Sequence, residues 1–217
     1  MMTSNPTSSL PASDSETTYQ GHLTAGDGAL ASRLHKPTHP SLVQVIFNNG
    51  SYNSHLISLQ NFSKGDLITP FAPHADFAKT KSYSTVQTGK DTHIELNSDL
   101  LYCNHSCDPN VAFVIGDAKD KTTWKARAEK EIKKGDILTF FYPSTEWQMS
   151  QPFDCACGSS THCLGKIDGA HSIAVETLTK YFVNQHILQL KRQQVEVNKS
   201  TTLSAHQKEE QLKLLSK

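Results

Sequence analysis

The chain has 217 residues, 36% of them apolar, and its 21 Lys and Arg balance 21 Asp and Glu, so the formal net charge is zero. That balance argues against a sequence-independent grip on nucleic acid, which needs a basic face. No apolar run approaches the roughly 18 residues of a membrane span. The N-terminus lacks an apolar signal core and has no arginine before Arg33, which points to the cytoplasm or nucleus, where thiols stay reduced.

Residues 1–20 are dominated by Ser, Thr and Pro. They bury too little to offset their ordering entropy and are expected to be disordered, with flexibility continuing to residue 40. Gly26-Asp27-Gly28 has no preceding strand and reads as a flexible turn, not a nucleotide loop. Packed structure is expected from Ser41. Leu42–Phe47 is β-branched, apolar and closed by Asn48-Asn49-Gly50, a strand followed by a turn. His55–Leu59 reads as the next strand. Leu67–Phe71 leaves a Ser63–Asp66 turn, and Pro70 puts it at a strand end or a sheet edge. Short strands follow at Thr85–Thr88, His93–Leu96, Val111–Ile115 and Trp124–Ala128. Lys64-Gly65-Asp66-Leu67-Ile68-Thr69 is echoed by Lys134-Gly135-Asp136-Ile137-Leu138-Thr139, which reads as one turn recipe used twice. Many short strands without intervening helices imply a mainly antiparallel β fold. Helical periodicity begins after Gly169, where Ala174, Leu178, Tyr181, Leu188 and Phe182 make a stripe. A C-terminal helix laid against the sheet is expected over 170–194. A polar tail follows over 195–217, with a short solvated helix near Lys208–Lys217.

Three features carry chemistry. Cys155, Cys157 and Cys163 cluster in sequence, and an odd total of five cysteines fits metal or free thiols better than a disulfide frame. Zinc needs four ligands. A fourth must come from Cys103 or Cys107, and the spacing alone leaves three unrelated thiols equally open. Asn104-His105, by itself, reads as a polar turn satisfying local backbone. Tyr142, by itself, reads as a hydroxyl capping a strand end.

Taken together and in order, Asn104-His105-Ser106-Cys107-Asp108-Pro109-Asn110, Ile132–Tyr142 and Cys155-Ala156-Cys157…Cys163 resemble the SET domain and post-SET tail of protein-lysine methyltransferases. The resemblance runs from Phe62 to Gly169. It implies a SET-domain β-clip fold of short antiparallel strands with a knot-like threaded segment, plus the C-terminal α-helix. The SET domain would span 41–148 and a post-SET zinc-binding segment 149–169. It implies S-adenosyl-L-methionine as cofactor, contacted by Asn104, His105, Asn53 and Leu164. It implies Tyr142 as the catalytic tyrosine, and Phe140 as a switch position that leaves room for more than one methyl. One structural zinc would be held by Cys107, Cys155, Cys157 and Cys163, leaving Cys103 as a small packed thiol and His162 as a less favoured ligand. Pro109 would stiffen the threaded turn. Trp147 and Phe153 would either wall the site or pack the tail.

Two positions depart from the family pattern. No glycine stands at Asn53-Ser54-His55, where a Gly-x-Gly loop is usual, and Asn53 is expected to supply left-handed backbone there. Phe141 replaces an acidic residue before the tyrosine. The function implied is methyl transfer to a lysine of a protein substrate, histone or not, by a monomer that binds neither nucleic acid nor membrane. The alternative is a catalytically weak SET-like binding module that keeps the fold and the zinc.

Overall fold

Val43–Ile46 (β1) alternates buried and exposed side chains, the period of a half-buried strand. It pairs antiparallel with His55–Ser58 (β2), Val43 opposite Ser58 and Ile46 opposite His55. The computed structural model describes residues 28–50 and 52–215; the disorder expected for 1–20 lies outside them, as do Gly26 and Asp27. After β2 come Leu67–Pro70 (β3), Ala75–Phe77 (β4), Val86–Gln87 (β5), His93–Leu96 (β6) and Asn104–His105 (β7). Val111–Val114 (β8), Lys125–Ala128 (β9), Ile137–Phe140 (β10), Phe153–Asp154 (β11) and Lys166–Ile167 (β12) complete the strands. The large sheet runs β1-β2-β10-β8-β9-β3, with β7 also on β10. A small sheet runs β4-β6-β5, and β11 pairs with β12. The fold is mainly β, as expected. β3 is an edge strand and Pro70 is its last residue, where a missing N–H costs nothing.

The echoed turns are alike. Gly65 and Gly135 both have φ +96, which glycine adopts without a side-chain clash. Ser63 N–H donates to the Asp66 carboxylate at 2.7 Å, and Lys133 N–H to Asp136 at 2.8 Å. The two turns are joined by a bridge between Phe62 and Ile132.

The pairing is mainly antiparallel, as expected, and β10 adds parallel pairings with both β7 and β8. Two expectations are corrected. Residues 28–40 are not a loose turn. Gly28–Leu34 is a helix (α1), and the chain after it is tied to Asp99, whose Oδ2 accepts from Thr38 N–H at 2.9 Å and His39 N–H at 2.7 Å. The helix over 170–194 is broken. Val175–Leu178 (α2) is a single turn, and the long helix is Gln185–Lys199 (α3), followed by Ala205–Leu215 (α4). The break has a physical cause at Asn184, which is buried. Its side chain accepts from Ile115 N–H at 2.8 Å and donates to the carbonyls of Phe113 at 2.8 Å and Ser144 at 3.0 Å. Those groups need partners once buried, and meeting them holds Asn184 extended.

Two apolar clusters result. Leu56, Phe71, Ile94, Phe113, Trp124 and Ile132 centre the larger one. Phe141, Trp147, Ala170, Leu178, Ile187 and Leu190 form the second, which seats the C-terminal segment on the end of β10. Among the described residues no helix is long and apolar enough to cross a membrane.

Candidate active site

β10 sets the geometry. Thr139 lies opposite Asn104 and Phe140 opposite His105, and Phe140 also pairs with Val111. The residues 106–110 therefore pass from one side of β10 to the other. Ser106 N–H donates to Phe140 O at 3.1 Å and Asn110 N–H to Thr139 O at 3.2 Å. The Asn110 side chain accepts from Thr139 N–H at 2.9 Å and donates to Ile137 O at 2.9 Å. This straddled strand delivers Phe141 and Tyr142 beside His105.

The link is direct. Tyr142 N–H donates to His105 Nδ1 at 3.2 Å. Nδ1 is thus an acceptor, and the ring proton of the neutral imidazole sits on Nε2, 3.4 Å from Cys107 Sγ. Burial pushes the His105 pKa down to about 4, so the ring is uncharged near neutrality. Tyr142 Oη donates to Cys103 O at 3.4 Å, and burial pushes its pKa up, so the phenol keeps its proton. Asn104 Nδ2 donates to Ser54 O at 2.8 Å. Apolar rings line the rest. Phe153 lies 5.9 Å from Tyr142 and 5.7 Å from His105. Phe140 is 4.7 Å from Tyr142 and stacks on Phe113 at 3.9 Å. An amide, a neutral imidazole, a protonated phenol and apolar walls make a site suited to orienting an uncharged nucleophile.

Asn104, His105, Phe140 and Tyr142 are brought together here; Asn53 is not part of the cluster. Left-handed backbone falls on Tyr52, φ +61, and not on Asn53. Asn53 instead closes its own loop, donating to Asn49 O at 2.8 Å and accepting from Asn48 Nδ2 at 3.0 Å. Ser54, the next residue, makes the contact through its carbonyl. Leu164 meets Cys107 through its N–H, and its side chain packs against the second cluster. The two undecided aromatics separate: Phe153 faces the site, and Trp147 is buried in the second cluster. Phe141 is explained by a residue the sequence did not single out. Its ring stacks on Tyr181 at 3.8 Å and 7°, and Tyr181 Oη donates to Cys107 O at 3.0 Å. Tyr181 had the look of one more member of a helical stripe, and nothing in its spacing marks it otherwise.

The sulfur atoms of Cys107, Cys155, Cys157 and Cys163 all lie within 4.8 Å of one another. Cys107 and Cys155 are 3.8 Å apart, and a tetrahedral zinc with bonds of about 2.3 Å separates its sulfurs by about 3.8 Å. Cys107 Sγ accepts from Leu164 N–H at 3.3 Å and faces His105 Nε2, the polarisation a ligating thiolate requires. The β11–β12 pairing brings Cys155 N–H to Gly165 O at 2.8 Å and so folds the tail onto Cys107. This donor set fits a closed four-sulfur metal site. Cys103 is buried outside it, and His162 is bound to Thr161 Oγ1 at 2.9 Å, also outside it.

Residues 53–143 match the SET domain family. A relative, Methyltransferase flvH of Aspergillus flavus, is 42% identical over 157 residues, which is 71% of this chain and 84% of that protein. Among solved structures, the methyltransferase domain of human Histone-lysine N-methyltransferase SETMAR is similar with a TM-score of 0.43 and 17% identity, over 58% of each chain. KRYPTONITE in complex with mCHG DNA and SAH gives 0.44 and 16%, over 57% of this chain and 28% of that one.

Proposed function

This chain belongs to the SET-domain methyltransferase family, and from that premise we propose that it methylates a lysine side chain of a protein substrate. One observation carries the reading: β10 is straddled so that Asn104, His105 and Tyr142 converge, with Tyr142 N–H on His105 Nδ1. S-adenosyl-L-methionine supplies the methyl group, as a positively charged sulfonium. Asn104, whose Nδ2 is engaged by Ser54 O, would contact it through its amide oxygen, and His105, both of whose ring nitrogens are engaged, through the face of its ring.

Tyr142 orients the amine. A free lysine has a pKa of about 10.4, so the nucleophilic form needs help at neutral pH. The apolar walls of Phe140 and Phe153 disfavour the ammonium by desolvation, and the neutral His105 adds no competing charge. The Tyr142 hydroxyl donates its hydrogen bond to Cys103 O, so its lone pairs are free to accept from the amine N–H and aim the nitrogen lone pair along the transfer line. Phe140, stacked on Phe113 without a hydroxyl, retains no water at the amine, and this supports addition of more than one methyl. Zinc bound by Cys107, Cys155, Cys157 and Cys163 would be structural and would clamp the tail over the site. His105 and Leu164 would polarise the Cys107 sulfur.

A second reading, a binding module without turnover, is favoured by Asn53-Ser54-His55, which lacks the usual Gly-x-Gly and where Asn53 is tied back to Asn48 and Asn49 by hydrogen bonds. Calorimetry with S-adenosyl-L-methionine, followed by labelled-methyl transfer to a protein mixture, separates the two. The expected result is cofactor binding in both wild type and Tyr142→Phe, with transfer falling about a hundredfold or more in the variant. Equal transfer by both proteins sinks the role of Tyr142, and binding without transfer selects the second reading. Mass spectrometry that finds only monomethyl product at long times overturns the role of Phe140.

A further inference from the structure

Two of the large exposed apolar side chains stand together beside the site. Tyr52 is 70% exposed and Tyr83 37%, and their rings meet edge to face at 5.9 Å. The pair connects to the site from several sides. Tyr52 is two residues before Ser54, whose carbonyl takes Asn104. Tyr52 Oη donates to Gln151 Oε1 at 3.5 Å, two residues before Phe153, which touches both His105 and Tyr142. Tyr83 lies within electrostatic reach of Tyr102, the neighbour of Cys103, whose carbonyl holds the Tyr142 hydroxyl.

A carboxylate joins them. The β4–β6 register sets Asp76 opposite Glu95, so both acids leave the same face of the small sheet. Lys121 takes Asp76 at 3.1 Å. Among the described residues no cation pairs with Glu95, which is half-buried, and burial raises its pKa. The β5–β6 register, with Val86 opposite Ile94, runs Glu95 alongside the segment between Tyr83 and Val86, and the Tyr83 pKa is pushed up to about 12, by burial first and then by Tyr52, Tyr102 and Glu95. Exposed aromatic faces attract cations, and an unpaired carboxylate adds to that pull.

We infer that Tyr52, Tyr83 and Glu95 form a cation-accepting rim that selects substrates carrying a second positive charge near the target lysine. The inference rests on the lysine-methylation reading above and deepens it by naming the substrate class. The neutral net charge of the chain does not oppose it, because recognition at the rim is local.

The test uses the full chain and two synthetic peptides, acetyl-Ala-Arg-Ala-Lys-Ala-Arg-Ala-amide and its counterpart with Gln for both Arg. At saturating S-adenosyl-L-methionine the arginine peptide should show a KM about threefold to tenfold lower. Tyr52→Leu, Tyr83→Leu and Glu95→Gln should each shrink that ratio, with unchanged cofactor affinity by calorimetry and unchanged melting temperature. Equal KM values for the two peptides in the wild type overturn the rim. So does a Tyr52→Leu variant that loses cofactor affinity and keeps the peptide ratio, because Tyr52 then belongs to the cofactor wall. If neither peptide turns over, fluorescence anisotropy of labelled peptides with S-adenosylhomocysteine present decides: tighter binding of the arginine peptide supports the rim, and equal binding overturns it. A wild type that binds no cofactor defeats the methylation reading, while the same anisotropy comparison still judges the rim.

Discussion

His105 works through both ring nitrogens at once. Nδ1 accepts from Tyr142 N–H and Nε2 faces Cys107 Sγ, so one side chain couples the proposed catalytic turn to the sulfur cluster, and only a neutral ring can do so. Glu146 is a different buried titratable group. Its Oε1 accepts from Gln87 N–H at 2.7 Å, and burial raises its pKa to about 7, opposed by that hydrogen bond. A carboxyl raised above its ordinary 4.5 adds stability in full below pH 4.5, and that stability is lost as pH climbs through 7. The loss amounts to about 3 kcal/mol at most. Glu146→Gln keeps the acceptor and cannot ionise, so its melting temperature should gain on wild type between pH 5 and pH 8; parallel curves would refute this. The glycines divide in the same residue-level way. A Cβ at Gly65 or Gly135 meets nothing within 4 Å, so alanine there should cost only the left-handed strain of about 1 kcal/mol. At Gly169, φ +117, a Cβ would stand 2.4 Å from Trp147 O and 2.6 Å from Gln148 Cα. Gly169→Ala should therefore cost clearly more than either, by about 2 kcal/mol or more in urea unfolding.

At the scale of elements, the C-terminal segment is part of the site's support. α3 buries Ile187 and Leu190 against Phe141 and Trp147. Its first turn is preceded by Asn184, which joins the end of β8 to Ser144 just after Tyr142. His186 adds a hydrogen bond to Thr145 O at 2.9 Å. Asn184→Ala leaves an N–H and two carbonyls buried without that partner, and each lost bond of this kind costs about 1 kcal/mol or more. A destabilisation of about 3 kcal/mol is expected in chemical denaturation. A value under about 1 kcal/mol would mean that water takes over the role. The break that Asn184 makes in the helix was not legible, because Ala174, Leu178 and Tyr181 fit the helical period whether or not the chain is continuous. The strands were far more legible. His93–Leu96 forms where read, and β1, β2, β3, β5, β8 and β9 fall inside the strands expected. Alternation of apolar residues survives in a short strand because one face is buried. β4, β11 and β12, two or three residues each, are too short to show a period.

For the whole molecule, the sulfur cluster ties a tail to the sheet across 48 residues, from Cys107 to Cys155. If it holds zinc, chelation should lower the melting temperature and open residues 149–169 to protease, and weaken cofactor binding as the tail lifts. Because thiolates are the ligands, metal affinity should fall as pH falls, since protons compete for sulfur. Atomic emission that finds no zinc in protein purified without chelator, or a chelated protein with unchanged cofactor affinity, would break the clamp. The molecule as a whole also shows where sequence reading stops. The family motifs, the alternating strands, the paired turns and the run Cys155, Cys157, Cys163 are local or depend on residue type, so the linear order of residues determined them; that Cys107 and not Cys103 joins those three sulfurs was decided by the fold. Which loop residue meets Asn104, what stacks on Phe141, and how Glu146, Tyr52 and Tyr83 are surrounded depend on contacts between distant segments. Only the tertiary structure decided these, because burial and hydrogen-bond demand arise from the strands once they are packed. Asn53 shows the difference: counting residues put it at the cofactor wall, and the folded loop turned its side chain back on Asn49 and offered the carbonyl of Ser54 instead.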